Sequence, residues 1–423
     1  MSSLDGAPAP TATRSLARRL TFEVYIPWIL AQLGRGMLVP VVPLYLRDAG
    51  LSYTRISVIL AALGMGAVLG GLPTGAIATR VGPEWLFVGA TVATATTSAL
   101  LGVSTAVIAL VAFRLVYGAG AVGLRVSVQM LVNSATPVRL RGRGMSVLGG
   151  SVRLAFFVGP LLGGFLADTI GFTATFVVCG VMTLVGIVPF VAVRQATGPG
   201  SKRFERPTVA AGPLWTALRR HTGLLLLAGT GSALVMAGRE GRNVIVPLIG
   251  DDLGLSGTAV GALVAIGTGA DLLLFPVAGW LMDRFGRLYA IVPAFTLVGV
   301  GLLVLGTWYS TTGAIVAGVI MGIGNGMSAG TMLTLGGDLA PRDAGPFLAA
   351  LGTLHDAGVV VGALVVGTFA DTAGLATSAV ALAAIMFVAV LWMVVAVGDS
   401  AHPTRPWIVS RLERDPIPSS RAR

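Results

Sequence analysis

The stretch Gly34-Arg35-Gly36-Met37-Leu38-Val39-Pro40-Val41-Val42-Pro43 returns at its fixed points as Gly238-Arg239-Glu240-Gly241-Arg242-Asn243-Val244-Ile245-Val246-Pro247. Glycine, arginine and the closing proline superpose at an offset of 247 − 43 = 204 residues. Without a gap, the same offset lays Gly50-Leu51-Ser52 on Gly254-Leu255-Ser256, Gly75 on Gly279, Arg80 on Arg284 and Gly82 on Gly286. It continues with Gly118 on Gly322, Gly120 on Gly324 and Pro137 on Pro341. After one deletion, Ala167-Asp168-Thr169-Ile170-Gly171 falls on Ala370-Asp371-Thr372-Ala373-Gly374. A shared apolar bias would align leucine and valine, not glycine, proline and arginine at fixed spacing, so the chain is an internal duplication.

Composition says what surrounds the two halves. Of 423 residues, 55% are hydrophobic and 11% charged, with a mean hydropathy of +0.86, whereas a soluble domain carries about a quarter charged residues. Nearly uncharged runs recur over 88–113, 172–193, 291–307 and 373–397, and crossing a hydrocarbon layer takes roughly 20 apolar residues. Spans are predicted near 21–46, 54–78, 86–104, 107–132, 145–167, 173–193, 222–249, 257–281, 289–307, 313–336, 347–369 and 375–397. The fold class is therefore an all-α membrane protein of twelve transmembrane helices. Two homologous six-helix bundles, 21–193 and 222–397, are joined by a linker over 194–221 and flanked by tails over 1–20 and 398–423. The first tail has no apolar core and reads as a basic cytosolic segment rather than a cleaved secretion signal. The last, rich in Arg, Pro and Ser, reads as disordered.

The net charge of +11 is distributed by topology. One set of loops holds Arg14, Arg18, Arg19, Arg80, Arg139, Arg141, Arg143, the linker cations from Arg194 to Arg220, Arg284, Arg287, Arg342 and the arginines of the last tail. The opposite loops hold only Arg47 and Arg55, so the positive-inside rule places both termini in the cytosol. The basicity is not a nucleic-acid patch. Residues 215–221 also allow a surface helix beside anionic lipid, or a solvated loop. Cys179, the single cysteine, lies in an apolar run, which excludes disulfides and cysteine-type metal sites; no metal or cofactor is implied.

Six arginines, Arg35, Arg114, Arg125, Arg153, Arg239 and Arg242, lie inside the spans against three acids, Glu240, Asp271 and Asp356, with His355 beside the last. Each costs about 2.5–3.5 kcal/mol at bilayer depth, so each is a candidate for function. The repeat superposes Arg35 on Arg239 at mid-depth. If the two guanidiniums face one cavity, they form a clamp for carboxylate, phosphate or sulfate; the competing reading has them bond helix carbonyls or pair with Glu240 and Asp356. Asn243 stands one turn beyond Arg239 on its face, while Glu240 points about 100° away and is expected to find its partner on another helix. Arg114, Gly118, Ala121, Arg125 and Gln129 share one stripe of the fourth span; the matching stripe of the tenth is Gly318, Gly322, Asn325, Ala329 and Leu333. The candidate substrate-binding set is thus Arg35, Arg114, Arg239, Asn243 and Asn325. An embedded carboxylate can exchange a proton, which makes Glu240 and Asp356 with His355 the coupling candidates.

The turn after the eighth span reads Gly279-Trp280-Leu281-Met282-Asp283-Arg284-Phe285-Gly286-Arg287, similar to the Gly-x-x-x-Asp-Arg/Lys-x-Gly-Arg signature of the major facilitator superfamily. There Gly279 permits close helix contact, Gly286 supplies the turn, and Asp283 with Arg284 locks one half against the other. The first-half copy, Gly75-Ala76-Ile77-Ala78-Thr79-Arg80-Val81-Gly82-Pro83-Glu84, departs at Thr79 and Pro83-Glu84, and Arg80 fits the positive-inside asymmetry at least as well as a gate. Ala155-Phe156-Phe157-Val158-Gly159-Pro160-Leu161-Leu162-Gly163-Gly164 resembles the family's antiporter motif. Its Ala155, Gly159 and Gly163 make a small-residue packing face and its Pro160 a kink. Leu110-Val111-Ala112-Phe113-Arg114-Leu115-Val116-Tyr117-Gly118-Ala119-Gly120 resembles a third motif, with Tyr117 where glutamine is usual.

The resemblance covers essentially the whole chain and implies the major facilitator fold. Parallel halves rock about a central cavity lined by the first and seventh spans. It sets the fifth span against the eighth, so Arg153 and Asp271, at similar depth, are expected to form a salt bridge between the halves, structural or gating. The favoured function is secondary active transport by alternating access, as proton-coupled efflux of a small molecule or drug. A selective carrier of an organic or inorganic anion is the alternative, and a non-transporting membrane sensor a third reading. No nucleophile–base set or Walker-type loop points to an enzyme. The expected partners are a small-molecule substrate, protons and the lipid bilayer, around a monomer. An Arg-, Ala-, Gly- and Val-rich chain with Lys202 as its sole lysine suggests a high-GC bacterium, and hence the bacterial cytoplasmic (inner) membrane.

Overall fold

The computed structural model describes residues 20–137, 140–197, 219–328, 330–340 and 344–397. The tail over 1–19, the linker over 198–218, the tail over 398–423 and the side chain of Asp283 lie outside the described residues. A π-helical turn, Thr21–Tyr25, leads into α1 (Ile26–Asp48). Then come α2 (Tyr53–Val81), α3 (Pro83–Leu100), α4 (Val107–Ala135), α5 (Arg141–Ile170) and α6 (Phe172–Val185), the last continued by Ile187–Thr197. The second half contains α7 (Thr222–Asp252), α8 (Gly257–Phe285), α9 (Arg287–Thr307), α10 (Thr311–Met327), α11 (Ala344–Ala373) and α12 (Leu375–Trp392). Among the described residues, eleven helices are long and apolar enough to cross a membrane, and Thr311–Met327 is a shorter apolar one. The tenth span is expected as one helix over 313–336. It breaks instead, because Gly330 sits at φ +77° and a separate helix, Thr331–Leu339, begins after it. Beyond its last turn Ser328 Oγ donates to the Asn325 carbonyl at 2.7 Å, satisfying a terminal acceptor.

The duplication is written in the backbone. Gly50 and Gly254 both take φ +73°, Gly82 and Gly286 take +89° and +105°, and Gly171 and Gly374 take +81° and +87°. Each pair stops equivalent helices with the left-handed residue that only glycine adopts cheaply. Ser52 and Ser256 then cap α2 and α8, their hydroxyls accepting from Arg55 N at 3.4 Å and Ala259 N at 3.3 Å.

Packing repeats too. In one half α1 lies on α5 and α6, α2 on α4, and α3 on α4 and α6; in the other α7 lies on α11 and α12, α8 on α10, and α9 on α10 and α12. Between the halves α2 meets α11 and α5 meets α8. The small residues of α5 serve two neighbours. A Cβ on Gly159 would stand 2.8 Å from Gly36 Cα and one on Gly163 2.8 Å from Met37 Cα, facing α1; one on Gly164 would stand 2.7 Å from the Gly257 carbonyl carbon of α8. Glycine there lets backbones touch, as helix packing in lipid requires. The helix runs unbroken through Pro160. Side chains turned outward, among them Ile108, Leu273 and Leu391, are apolar and exposed, suited to lipid rather than water.

Candidate functional site

The two halves enclose a cavity of about 320 Å³. Its polar lining is Gln32 and Arg35 of α1, Arg125 of α4, Arg153 of α5, Arg239, Glu240, Arg242 and Asn243 of α7, Thr268 and Asp271 of α8, Asn325 of α10, and His355 and Asp356 of α11. A smaller chamber of about 70 Å³ adjoins it through Arg35, Phe156, Glu240 and Asn243, and adds Arg114 and Tyr117. All of the sequence-derived binding and coupling candidates therefore face one connected space.

Among the described residues, two ion pairs bridge the halves inside the cavity. Arg153 Nε stands 3.3 Å from Asp271 Oδ1, with side chains 17% and 10% exposed, and Arg125 Nη2 stands 3.1 Å from Asp356 Oδ2, with 45% and 11% exposed. Asp271 also accepts from Asn325 Nδ2 at 2.7 Å, and the Arg153 guanidinium lies over the Phe275 ring at 4.1 Å. The third acid behaves differently from expectation. Glu240 finds its partner on its own helix, where Asn243 Nδ2 donates to Glu240 Oε2 at 3.1 Å, because residues three apart lie within reach despite the angular offset. His355 Nδ1 faces Ser232 Oγ at 2.9 Å.

That leaves the other cations without carboxylates. Among the described residues Arg35, Arg114, Arg239 and Arg242 make no ion pair, so the expected alternative, Arg35 and Arg239 neutralised by Glu240 and Asp356, is not what the structure contains. Arg35 instead lies 5.6 Å over the Phe156 ring. Buried polar atoms in the same region also lack partners: Gln32 Oε1, Arg114 Nε and Asn325 Oδ1. Such atoms are few in native proteins and mark places where another group belongs.

The cavity is closed at the end far from Leu20 and Val397. Asp168, at the end of α5, accepts from Gly257 N at 2.9 Å, Thr258 N at 2.7 Å and Thr258 Oγ1 at 2.6 Å, capping α8 of the other half. Asp371, at the end of α11, accepts from Tyr53 N at 3.0 Å and Thr54 N at 2.8 Å, capping α2. Between them Arg47 Nε lies 3.6 Å from Asp251 Oδ2 and its guanidinium 4.4 Å from the Tyr53 ring centroid. Sequence reasoning aligned Asp168 with Asp371 but assigned neither a role. The signal was there, an acid kept in both copies just before the helix-ending glycine.

Among the described residues, the opposite end is parted. A Cβ built on Gly75, Gly149, Gly279 or Gly352 would meet nothing within 4 Å, so Gly279 makes no close helix contact here. Arg284 rests against Trp280 and Phe285 of its own turn, at 6.0 and 5.6 Å from the ring centroids. Among the described residues of that motif, Arg287 makes an ion pair, its Nε 3.0 Å from Asp338 Oδ2. Gly286 is the turn residue expected, and Arg80 is exposed at the end of α2.

A family model described as Major Facilitator Superfamily matches residues 28–238 and again 228–418. An uncharacterised MFS-type transporter of Methanocaldococcus jannaschii is 20% identical over 365 residues, 85% of this chain and 94% of that protein. The quinolone resistance protein NorA of Staphylococcus aureus is 21% identical over 188 residues, 44% of this chain, and the match spans about half of that protein, 48%. A solved bacterial homolog of the human lysosomal transporter Spinster, in an inward-facing and unoccupied conformation, has a TM-score of 0.69 at 15% identity over 96% of this chain and 98% of that one, a likeness of fold alone. One family model laid twice along a chain whose halves share their helix stops, caps and packing makes this protein a membrane transporter belonging to the major facilitator superfamily.

Proposed function

We propose that this protein carries a small, negatively charged molecule across the membrane by alternating access, with the cavity between the halves as its cargo compartment. The observation that carries this reading is the charge balance of the cavity. Of its three acids, Asp271 and Asp356 are taken up by Arg153 and Arg125 and Glu240 holds Asn243, while Arg35, Arg239 and Arg242 line the same space without an ion pair, so the cations outnumber the carboxylates. Guanidiniums in a water-poor site attract carboxylate or phosphate groups with two parallel hydrogen bonds. The far-end contacts and the parted near end supply the closed and open sides that alternate. With the termini in the cytosol of a bacterium, the cavity faces the cytosol in this state.

A second reading is proton-coupled export of a drug. It is favoured by the similarity to NorA and by the glycine-proline motif of α5, which resembles that of the family's antiporters. In either case Glu240, whose hydrogen-bond partner is a neutral amide rather than an arginine, is the proton carrier of choice, with Asp356 and His355 behind it.

Both readings are tested by pH-driven uptake and efflux in reconstituted vesicles over a panel of organic anions and cationic drugs. Arg239→Ala should lower anion transport by about tenfold, the loss of roughly one charged hydrogen bond, and spare cations. Equal effects on both classes overturn the anionic cargo. Glu240→Gln should abolish the response to the pH gradient; a full response moves the proton to another group.

A further inference from the structure

We propose that the smaller chamber is a distinct seat for the acid group of the cargo, formed by Arg114 with Arg35, and that the ligand it takes is a compact organic monocarboxylate. This rests on the reading of the large cavity as the cargo compartment and adds a second, deeper site to it.

The chamber is displaced towards the closed end. It is lined from the second halves of α1, α7 and α11 and the first halves of α2 and α4, which places it between the large cavity and the caps made by Asp168 and Asp371. Arg114 is the most enclosed of the unpaired cations, 8% exposed, and its Nε has no partner among the described residues. Leaving a buried charged donor unsatisfied is costly, and a guanidinium fork is shaped to accept a carboxylate. The Tyr117 ring lies 5.9 Å away and flanks it.

Charge and size narrow the ligand. The chamber holds two guanidiniums, Arg35 and Arg114, and one carboxylate, Glu240, so the excess matches a single negative charge. Its other walls are hydrocarbon, among them Leu38, Leu60 and Val244, which suit an apolar body and would strip water from a doubly charged inorganic ion without replacing it. A space of about 70 Å³ admits a few heavy atoms, so the acid end enters while any larger body stays in the cavity.

The test is equilibrium binding of radiolabelled butyrate and of sulfate to the purified full chain in lipid nanodiscs. Wild type should bind butyrate in preference to sulfate. Arg114→Gln should weaken butyrate by at least tenfold, and Arg114→Lys by less. Butyrate binding untouched in a monodisperse Arg114→Gln or Arg114→Lys protein overturns the seat. If Arg239→Ala then removes butyrate instead, the seat alone falls and the cavity reading stands. Sulfate or chloride competing as well as butyrate overturns the monocarboxylate class. Absence of anion binding in wild type, together with absence of anion transport, overturns the cavity reading as well.

Discussion

Asp168 and Asp371 occupy equivalent places in the two halves, and each caps a helix of the other half. Asp168 accepts from the backbone N–H groups of Gly257 and Thr258, Asp371 from those of Tyr53 and Thr54. The receiving residues are themselves 257 − 53 = 204 apart. The contact is therefore reciprocal about the axis relating the halves, like an isologous dimer interface within one chain. Each cap holds only while the ends stay together, so the pair is suited to set how long the far end remains shut.

Replacing Asp168 or Asp371 with Ala removes a cap worth about 1 kcal/mol and should shift the closed–open balance of that end by roughly fivefold. Spin labels on Arg55 and Thr372, both exposed near the caps, should report a longer distance in either variant and the longest in both together. The native Cys179 is buried and stays unlabelled. An unchanged distance distribution in the double variant removes the caps from gating.

Arg47 and Asp251 also stand 251 − 47 = 204 apart, which makes them one repeat position filled with opposite charges. Arg47→Asp sets a new acid among Asp48, Asp251 and Asp252 and should open the far end; adding Asp251→Arg should close it again. Their side chains are 31% and 36% exposed, so the effect is about 0.2–1 kcal/mol and should fade at high salt. Failure of the exchanged pair to restore the distance shows that the attraction plays no part.

Much of this was legible in sequence because glycine, proline and buried charge are specified by backbone and dielectric, not by distant neighbours. The offset located the helix stops at Gly50, Gly82 and Gly171 and their copies, and burial cost singled out the arginines of the cavity. The pair Arg153–Asp271 followed from similar depth on two helices that the family resemblance sets face to face. What sequence did not yield depends on side-chain reach and on state. Asn243 bending back to Glu240 is a rotamer choice within one helix. The empty space at Gly279 depends on how the helix ends of the two halves are set, which sequence does not specify. The break at Gly330 hid within an apolar stretch where one glycine in many takes positive φ.

The two bridges inside the cavity should differ in strength. Asp271 is 10% exposed and holds both Arg153 and Asn325, whereas Arg125, the partner of Asp356, is 45% exposed and open to water. Asp271→Asn strands a mostly buried cation, a loss of up to about 3–5 kcal/mol; Asp356→Asn should cost about 1 kcal/mol. Thermal unfolding in nanodiscs should therefore fall further for Asp271→Asn, and Arg153→Met with Asp271→Leu should recover most of it. Equal falls for the two single variants contradict this ranking.

Gly164 and Gly279 test the two ends separately. A methyl group on Gly164 would lie 2.7 Å from the Gly257 carbonyl carbon and 3.2 Å from Thr258 Cα, so Gly164→Ala must push α8 away from α5 beside the Asp168 cap. Overpacking of this kind costs about 1–3 kcal/mol, and the far-end spin-label distance should lengthen with no cavity residue altered. At Gly279 there is room for a side chain in this state, so Gly279→Leu should leave stability and the far-end distance as in wild type. If the halves alternate as proposed, the near end must close once per cycle, and a bulky residue near the end of α8 obstructs that step alone. Gly279→Leu should bind cargo normally and transport it several-fold more slowly, and transport at the wild-type rate would mean that the near end closes without bringing this turn into contact.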